Sequence, residues 1–134
     1  MDDDNHPISE FKSTGGTQRI FAAWSYSMAG FKKAWKTEHA FRQELRLVVP
    51  AALIALILPV SPGEKLMLIG VFVLVLIIEL LNSAIEAVVD RVSLERHPLS
   101  KNAKDFGSAA VMLALFLAAA TWAVILWPLL APYV

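Results

Sequence analysis

From Phe106 to Val134 the chain carries no charged residue. A hydrocarbon core of about 30 Å is crossed by roughly 20 helical residues, so this stretch can span a bilayer with length to spare. Two earlier apolar stretches are read on the same scale. One runs from Leu45 to Val60, interrupted by Arg46 near its start and holding Pro50. The other runs from Leu66 to about Val92; it is uncharged as far as Ile78 and then turns polar on part of its surface. Pro59, Ser61, Pro62 and Gly63 mark a tight turn between these two. At 57% hydrophobic residues and a mean hydropathy of +0.57, the chain is too apolar for an ordinary soluble domain of 134 residues. A soluble bundle of very apolar helices is the alternative, and the uncharged last stretch argues against it. The expected fold class is an all-α membrane protein with three transmembrane helices per protomer, at residues 40–60, 64–95 and 100–128.

Residues 1–17 read as a disordered tail, with Asp2, Asp3 and Asp4 in a row and Gly15-Gly16 near its end. No basic start followed by an apolar run is present, so this is not a secretory signal. Residues 18–37 are a different kind of helix. Ile20, Trp24, Met28, Phe31 and Trp35 recur at spacings of four and three and share one face, while Arg19, Ser25, Tyr26, Lys32, Lys33 and Lys36 fall away from it. Aromatics on one side and lysines on the other suit a helix lying in the membrane interface. A soluble amphipathic helix packed on a core is the plainer alternative. The remaining basic residues set orientation: Lys65 lies in the first connection, Arg91, Arg96, Lys101 and Lys104 flank the second, and none follows. The positive-inside rule then puts the N-terminus and second connection in the cytoplasm and the C-terminus outside.

The stretch Glu79–Asp90, "ELLNSAIEAVVD", breaks the apolar pattern of the second span. At 100° per residue Glu79, Asn82, Ser83, Glu86 and Asp90 fall within about 60° of one line along a helix. Asp90 lies about 16 Å along the axis from Glu79, which places Asp90 in cytoplasmic water, Glu86 near the headgroups and Glu79 at or below the interface. Carboxylates inside a membrane are costly and are functional candidates by default. Glu86 and Asp90, one turn apart, suit a hard divalent cation whose shell is completed by nucleotide phosphates. Glu79 sits in a more apolar setting that suits a general base. The plainer reading is polar glue between helices through Asn82 and Ser83, which explains three carboxylates badly.

The second connection, "HPLSKNAKDFGS" over residues 97–108, supplies positive charge beside that stripe. Pro98 and Ser100 read as the start of the third span, with Ser100 as its N-cap. Lys101 and Lys104 with free backbone N–H groups make a phosphate site, or simply anchor the helix on the cytoplasmic side. Asp105-Phe106-Gly107 spells a protein-kinase motif, but no other part of that signature is present. There is no cysteine, hence no thiolate metal site, and zero net charge argues against nucleic-acid binding. A small transporter would want repeated spans and a through-pathway; a non-enzymatic membrane adaptor would leave the stripe without a role.

"ELLNSAIEAVVDR" followed by "HPLSKNAKDFGSAAV", with "AFRQE" at 40–44 and the "TW…LW" ending of the third span, resembles the prokaryotic diacylglycerol kinase family of small integral-membrane lipid kinases. The resemblance covers nearly the whole chain from Arg19 to Trp127. It implies a homotrimer of three-span protomers with an N-terminal interfacial helix in the bacterial inner membrane. It implies transfer of the ATP γ-phosphate to the hydroxyl of diacylglycerol, with Mg2+ as cofactor and active sites shared between subunits. By the same resemblance Glu79 is the catalytic base, and Glu38 and Glu86 hold the metal. Arg19, Tyr26, Glu38, Asn82, Glu86, Asp90, Glu95, Arg96, His97, Lys104 and Asp105 surround the nucleotide. Arg42, Glu44, Glu79, Ser108 and Trp122 lie along the lipid. The chain departs from the family pattern at Ala22, where a basic residue is expected, at Thr37, where asparagine is common, and at Pro98. The "HPL" of residues 97–99 is similar to Gram-positive relatives that phosphorylate undecaprenol, which stands as the alternative substrate.

Overall fold

The computed structural model describes residues 16–133. They form four α-helices, α1 (Gly16–Thr37), α2 (His39–Ile57), α3 (Pro62–Val92) and α4 (Pro98–Leu130), closed by a 3-10 turn at Ala131–Tyr133. The all-helical class expected from the sequence is the class observed. Of the expected tail, residues 1–15 lie outside the described residues, while Gly16 and Thr17 open α1.

The helix boundaries follow from local chemistry. Ser61 is the N-cap of α3: its hydroxyl accepts the Glu64 N–H at 3.2 Å and the Glu64 carboxylate accepts the Ser61 N–H at 2.7 Å, a reciprocal capping box. Pro62 and Gly63, expected in the turn, are therefore the first helical residues, since proline at N1 needs no N–H partner. Lys65 reaches back from α3 to donate to the Leu56 carbonyl at 2.7 Å, satisfying the open end of α2. The start of α4 corrects the sequence reading. His97, not Ser100, is the N-cap; its Nδ1 accepts the Leu99 N–H at 3.2 Å, and Pro98 takes N1. Proline's fixed φ preorganises the first turn, so the helix begins two residues before the expected serine.

α3 is the central helix. Leu68, Val75 and Glu79 are its buried residues and fall at spacings of seven and four, a stripe that faces α4. Gly107, Ala114, Ala118 and Ile125 form the matching stripe of α4. Small residues there let the two backbones approach closely. Ala55 of α2 joins Leu68 and Ile125 in one apolar cluster, and Val75, Ala114 and Ala118 form a second. Trp122 fixes the end of the seam remote from Glu79: its indole N–H donates to the Leu68 carbonyl at 3.1 Å and its ring lies 5.6 Å from that of Phe72.

Both α3 and the stretch from Pro98 to Tyr133 are long and apolar enough to cross a membrane, with few of their residues buried in the protein. The 19-residue α2 does not meet that standard on composition, because Arg42, Glu44 and Arg46 sit in its first half. α1 lies against the bundle lightly. Among its described residues only Ala34 is buried, and Ile20, Trp24, Met28, Phe31 and Trp35 are all exposed.

Candidate active site

The polar stripe of α3 continues its packing seam. Leu68, Val75, Glu79, Asn82 and Glu86 follow one another at steps of seven, four, three and four. Glu79 therefore stands where a core residue would stand, 5% exposed. Asn82 turns one end of its amide toward Glu86, donating from Nδ2 to Oε1 at 3.3 Å. Its other end, Oδ1, is buried without a hydrogen-bond partner and rests against Gly107 of α4. A Cβ on Gly107 would overlap Asn82 Oδ1 and lie 3.1 Å from its Cγ. The glycine is thus the seat of the asparagine.

α2 brings a third wall. Glu38, His39, Gln43 and Glu44 from its start, Glu79, Asn82 and Glu86 from α3, and Ser108, Val111 and Leu115 from α4 line one cleft of about 570 Å³. Four carboxylates, those of Glu38, Glu44, Glu79 and Glu86, therefore line the same cleft. One oxygen of Glu44 is buried with no partner. Glu38 also borders a hollow between α1 and α3, beside Gly30, Ala34 and Ser83.

A second cleft, of about 800 Å³, opens where α3 ends and α4 begins. Asp90, Glu95, Arg96, His97, Lys104 and Asp105 line it. Lys104 donates to Asp90 at 2.7 Å, bridging the two helices, and Lys101 pairs with Asp105 one turn along α4. Both pairs are well exposed, so their worth is less in stability than in holding charge at the rim.

The sequence-derived candidates thus separate into groups. Glu38, Glu44, Glu79, Asn82, Glu86 and Ser108 converge on the first cleft, and six others on the second. Arg19 and Tyr26 on α1 line neither. Trp122 is remote: its partner Leu68 is about 16 Å along α3 from Glu79. Arg42 faces α1, where its Nη1 donates to the carbonyls of Trp35 and Lys36. Gly107, His39 and Gln43 were not singled out from the sequence. For Gly107 a signal existed, its place seven residues before Ala114 on the small-residue stripe.

Among the described residues no three histidine, cysteine, aspartate or glutamate side chains gather as a metal cluster. Glu38 and Glu86 nonetheless share a cleft with Glu79. Two carboxylates are a fitting donor set for a hard cation that draws its other oxygen ligands from phosphates and water.

The sequence matches the family described as prokaryotic diacylglycerol kinase over residues 25–126. It is 58% identical over 118 residues to a diacylglycerol kinase of Pseudomonas aeruginosa, covering 88% of this chain and 96% of that protein. It is 50% identical over 115 residues to the diacylglycerol kinase of Escherichia coli, covering 86% and 94%. With the diacylglycerol kinase of Haemophilus influenzae the identity is 43% over 117 residues, covering 87% and 98%.

Proposed function

The chain belongs to the prokaryotic diacylglycerol kinase family, and from that membership we infer that it transfers the γ-phosphoryl group of ATP to the hydroxyl of diacylglycerol. The observation that carries this reading is the cleft that gathers Glu79, Glu38, Glu86, Asn82 and Ser108 from three helices.

Glu79 lies where the uncharged run of α3 ends. A lipid alcohol that keeps its acyl chains in the bilayer presents its hydroxyl at that depth. Glu79 takes the hydroxyl proton as the oxygen attacks the γ-phosphorus. The bond from that phosphorus to the β–γ bridging oxygen breaks, and ADP leaves with phosphatidic acid as the other product. Burial among apolar neighbours keeps water from competing with the lipid for the phosphoryl group. Glu38 and Glu86 would hold Mg2+, which when bound neutralises phosphate charge. Asn82 holds the Glu86 carboxylate by its amide. Lys104, at the rim of the second cleft, takes the rest of the nucleotide phosphates, and Asp105 lies beside it for a base amine. Most of the rate comes from positioning and charge stabilisation, as in phosphoryl transfer generally.

The membrane arrangement belongs to the same proposal. The aromatic face of α1 is exposed in the protomer and matches a helix lying in the cytoplasmic interface. α2, α3 and α4 then cross the bacterial inner membrane, with the N-terminus cytoplasmic and the C-terminus outside. The nucleotide candidates of one protomer fall in two clefts, with Arg19 and Tyr26 in neither. The homotrimer implied by the family resemblance, in which neighbouring subunits complete one another's sites, would account for that division.

The test is ATP-dependent phosphorylation by the purified protein in micelles, with diacylglycerol and undecaprenol side by side. Diacylglycerol is the expected substrate; preference for undecaprenol would overturn it. Glu79→Gln is expected to lower kcat by at least about 100-fold while helical content and ATP binding persist. Near wild-type turnover by that variant would remove Glu79 as the base.

A further inference from the structure

The joint between α1 and α2 is one residue long. Glu38 stands alone between the two helices at φ −95° and ψ 112°, and as N-cap of α2 it makes no side-chain capping bond. Its carboxylate instead accepts the Thr37 hydroxyl at 2.7 Å, and its N–H continues the α1 ladder to the Ala34 carbonyl at 2.9 Å. With no slack on either side, the direction of the Glu38 carboxylate is set by the angle between the helices. Little else holds that angle, because only Ala34 is buried among the described residues of α1.

Arg42 spans the joint. From the first turn of α2 its guanidinium reaches back to two last-turn carbonyls of α1, Trp35 at 2.8 Å and Lys36 at 3.2 Å. These carbonyls lie where a helix has no internal partners left, and a cation there meets the negative end of the helix dipole. We propose that Arg42 is a positioning residue that clamps α1 against α2 and so aims Glu38 into the cleft with Glu79 and Glu86. The proposal rests on the reading of Glu38 as a ligand of the metal-bound nucleotide. Direct contact with the lipid headgroup, the role implied by the family resemblance, would act on a different kinetic constant.

The experiment is steady-state kinetics of the full chain in micelles, varying Mg·ATP and diacylglycerol separately, for wild type, Arg42→Ala, Arg42→Lys, Glu38→Gln and the Arg42→Ala/Glu38→Gln pair. Arg42→Ala is expected to raise KM for Mg·ATP by about tenfold, the scale of one lost charge-assisted hydrogen bond, with KM for diacylglycerol unchanged. Arg42→Lys restores most of the loss, because an ammonium can donate to both carbonyls. On the Glu38→Gln background Arg42→Ala adds little, since the two act through one carboxylate. A rise in the lipid KM alone would make Arg42 a headgroup contact and overturn the clamp. A fall in kcat with both KM values unchanged would reduce it to a folding residue and overturn it too. If Glu38→Gln itself leaves the Mg·ATP dependence unchanged, the ligand assignment fails, whatever Arg42 does.

Discussion

Gly107→Ala separates a seat for Asn82 from an ordinary helical glycine. The added methyl overlaps Asn82 Oδ1 and lies 3.1 Å from its Cγ. Overpacking of this kind costs about 1–3 kcal/mol. Against that, alanine in place of glycine in a helix interior contributes about 1 kcal/mol of stability. The net change is a loss of about 0–2 kcal/mol, small because the clash meets the movable end of a side chain. The larger effect falls on the site. When the amide swings aside, the 3.3 Å bond from Nδ2 to Glu86 breaks, so KM for Mg·ATP rises. On an Asn82→Ala background the overlapping atoms are gone. Gly107→Ala should there change sign and stabilise by about 0.5–1 kcal/mol. The assay is reversible unfolding in mixed micelles for the four proteins of the cycle, with kinase kinetics alongside. Equal stability changes in both backgrounds would refute the reasoning, because they would show that the glycine and the asparagine do not meet.

Two further substitutions probe the far end of the bundle. Trp122→Ala removes the bond to Leu68 and the ring contact with Phe72; it is expected to cost about 1–3 kcal/mol in the same unfolding assay and to leave KM for diacylglycerol unchanged, whereas a raised lipid KM would make Trp122 a lipid contact. Ser61→Ala breaks the capping box of α3 and should cost about 1 kcal/mol with full activity, since Ser61 lies at the opposite end of α3 from Glu86; an unchanged unfolding midpoint would count against the cap.

Much of this architecture was legible in the residues because helical periodicity is a property of one segment at a time. The uncharged run from Phe106 onward, and the alignment of Glu79, Asn82, Glu86 and Asp90 at 100° steps, need no partner helix to be read. The cross-helix pairs could not be read this way. Leu68 meets Trp122, Val75 meets Ala114 and Asn82 meets Gly107, each step of seven on α3 matched by seven or eight back along α4. That register follows from how the two stripes interlock and from the length of the Ser93–His97 connection, neither of which shows in a single helix's pattern. The family resemblance implies a lipid contact for Arg42, and the charge pattern makes Lys65 a topology signal. Their bonds to the ends of α1 and α2 depend on the angles between helices. The start of α4 differs from the expectation for a local reason: Pro98 sets the first turn, two residues before Ser100.

The single-residue joint at Glu38 makes the chain length there a phase setting. One residue more or fewer in the last turn of α1 would rotate the rest of that helix by about 100° and shift it about 1.5 Å. The face carrying Trp24, Phe31 and Trp35 would then turn to a different direction relative to the bundle, and Arg19 and Tyr26 would turn with it. The five residues from Ser93 to His97 can take up such a change as loop. Insertions should therefore be tolerated after α3 and not before α2, and a library of one-residue insertions across both connections would map that asymmetry directly.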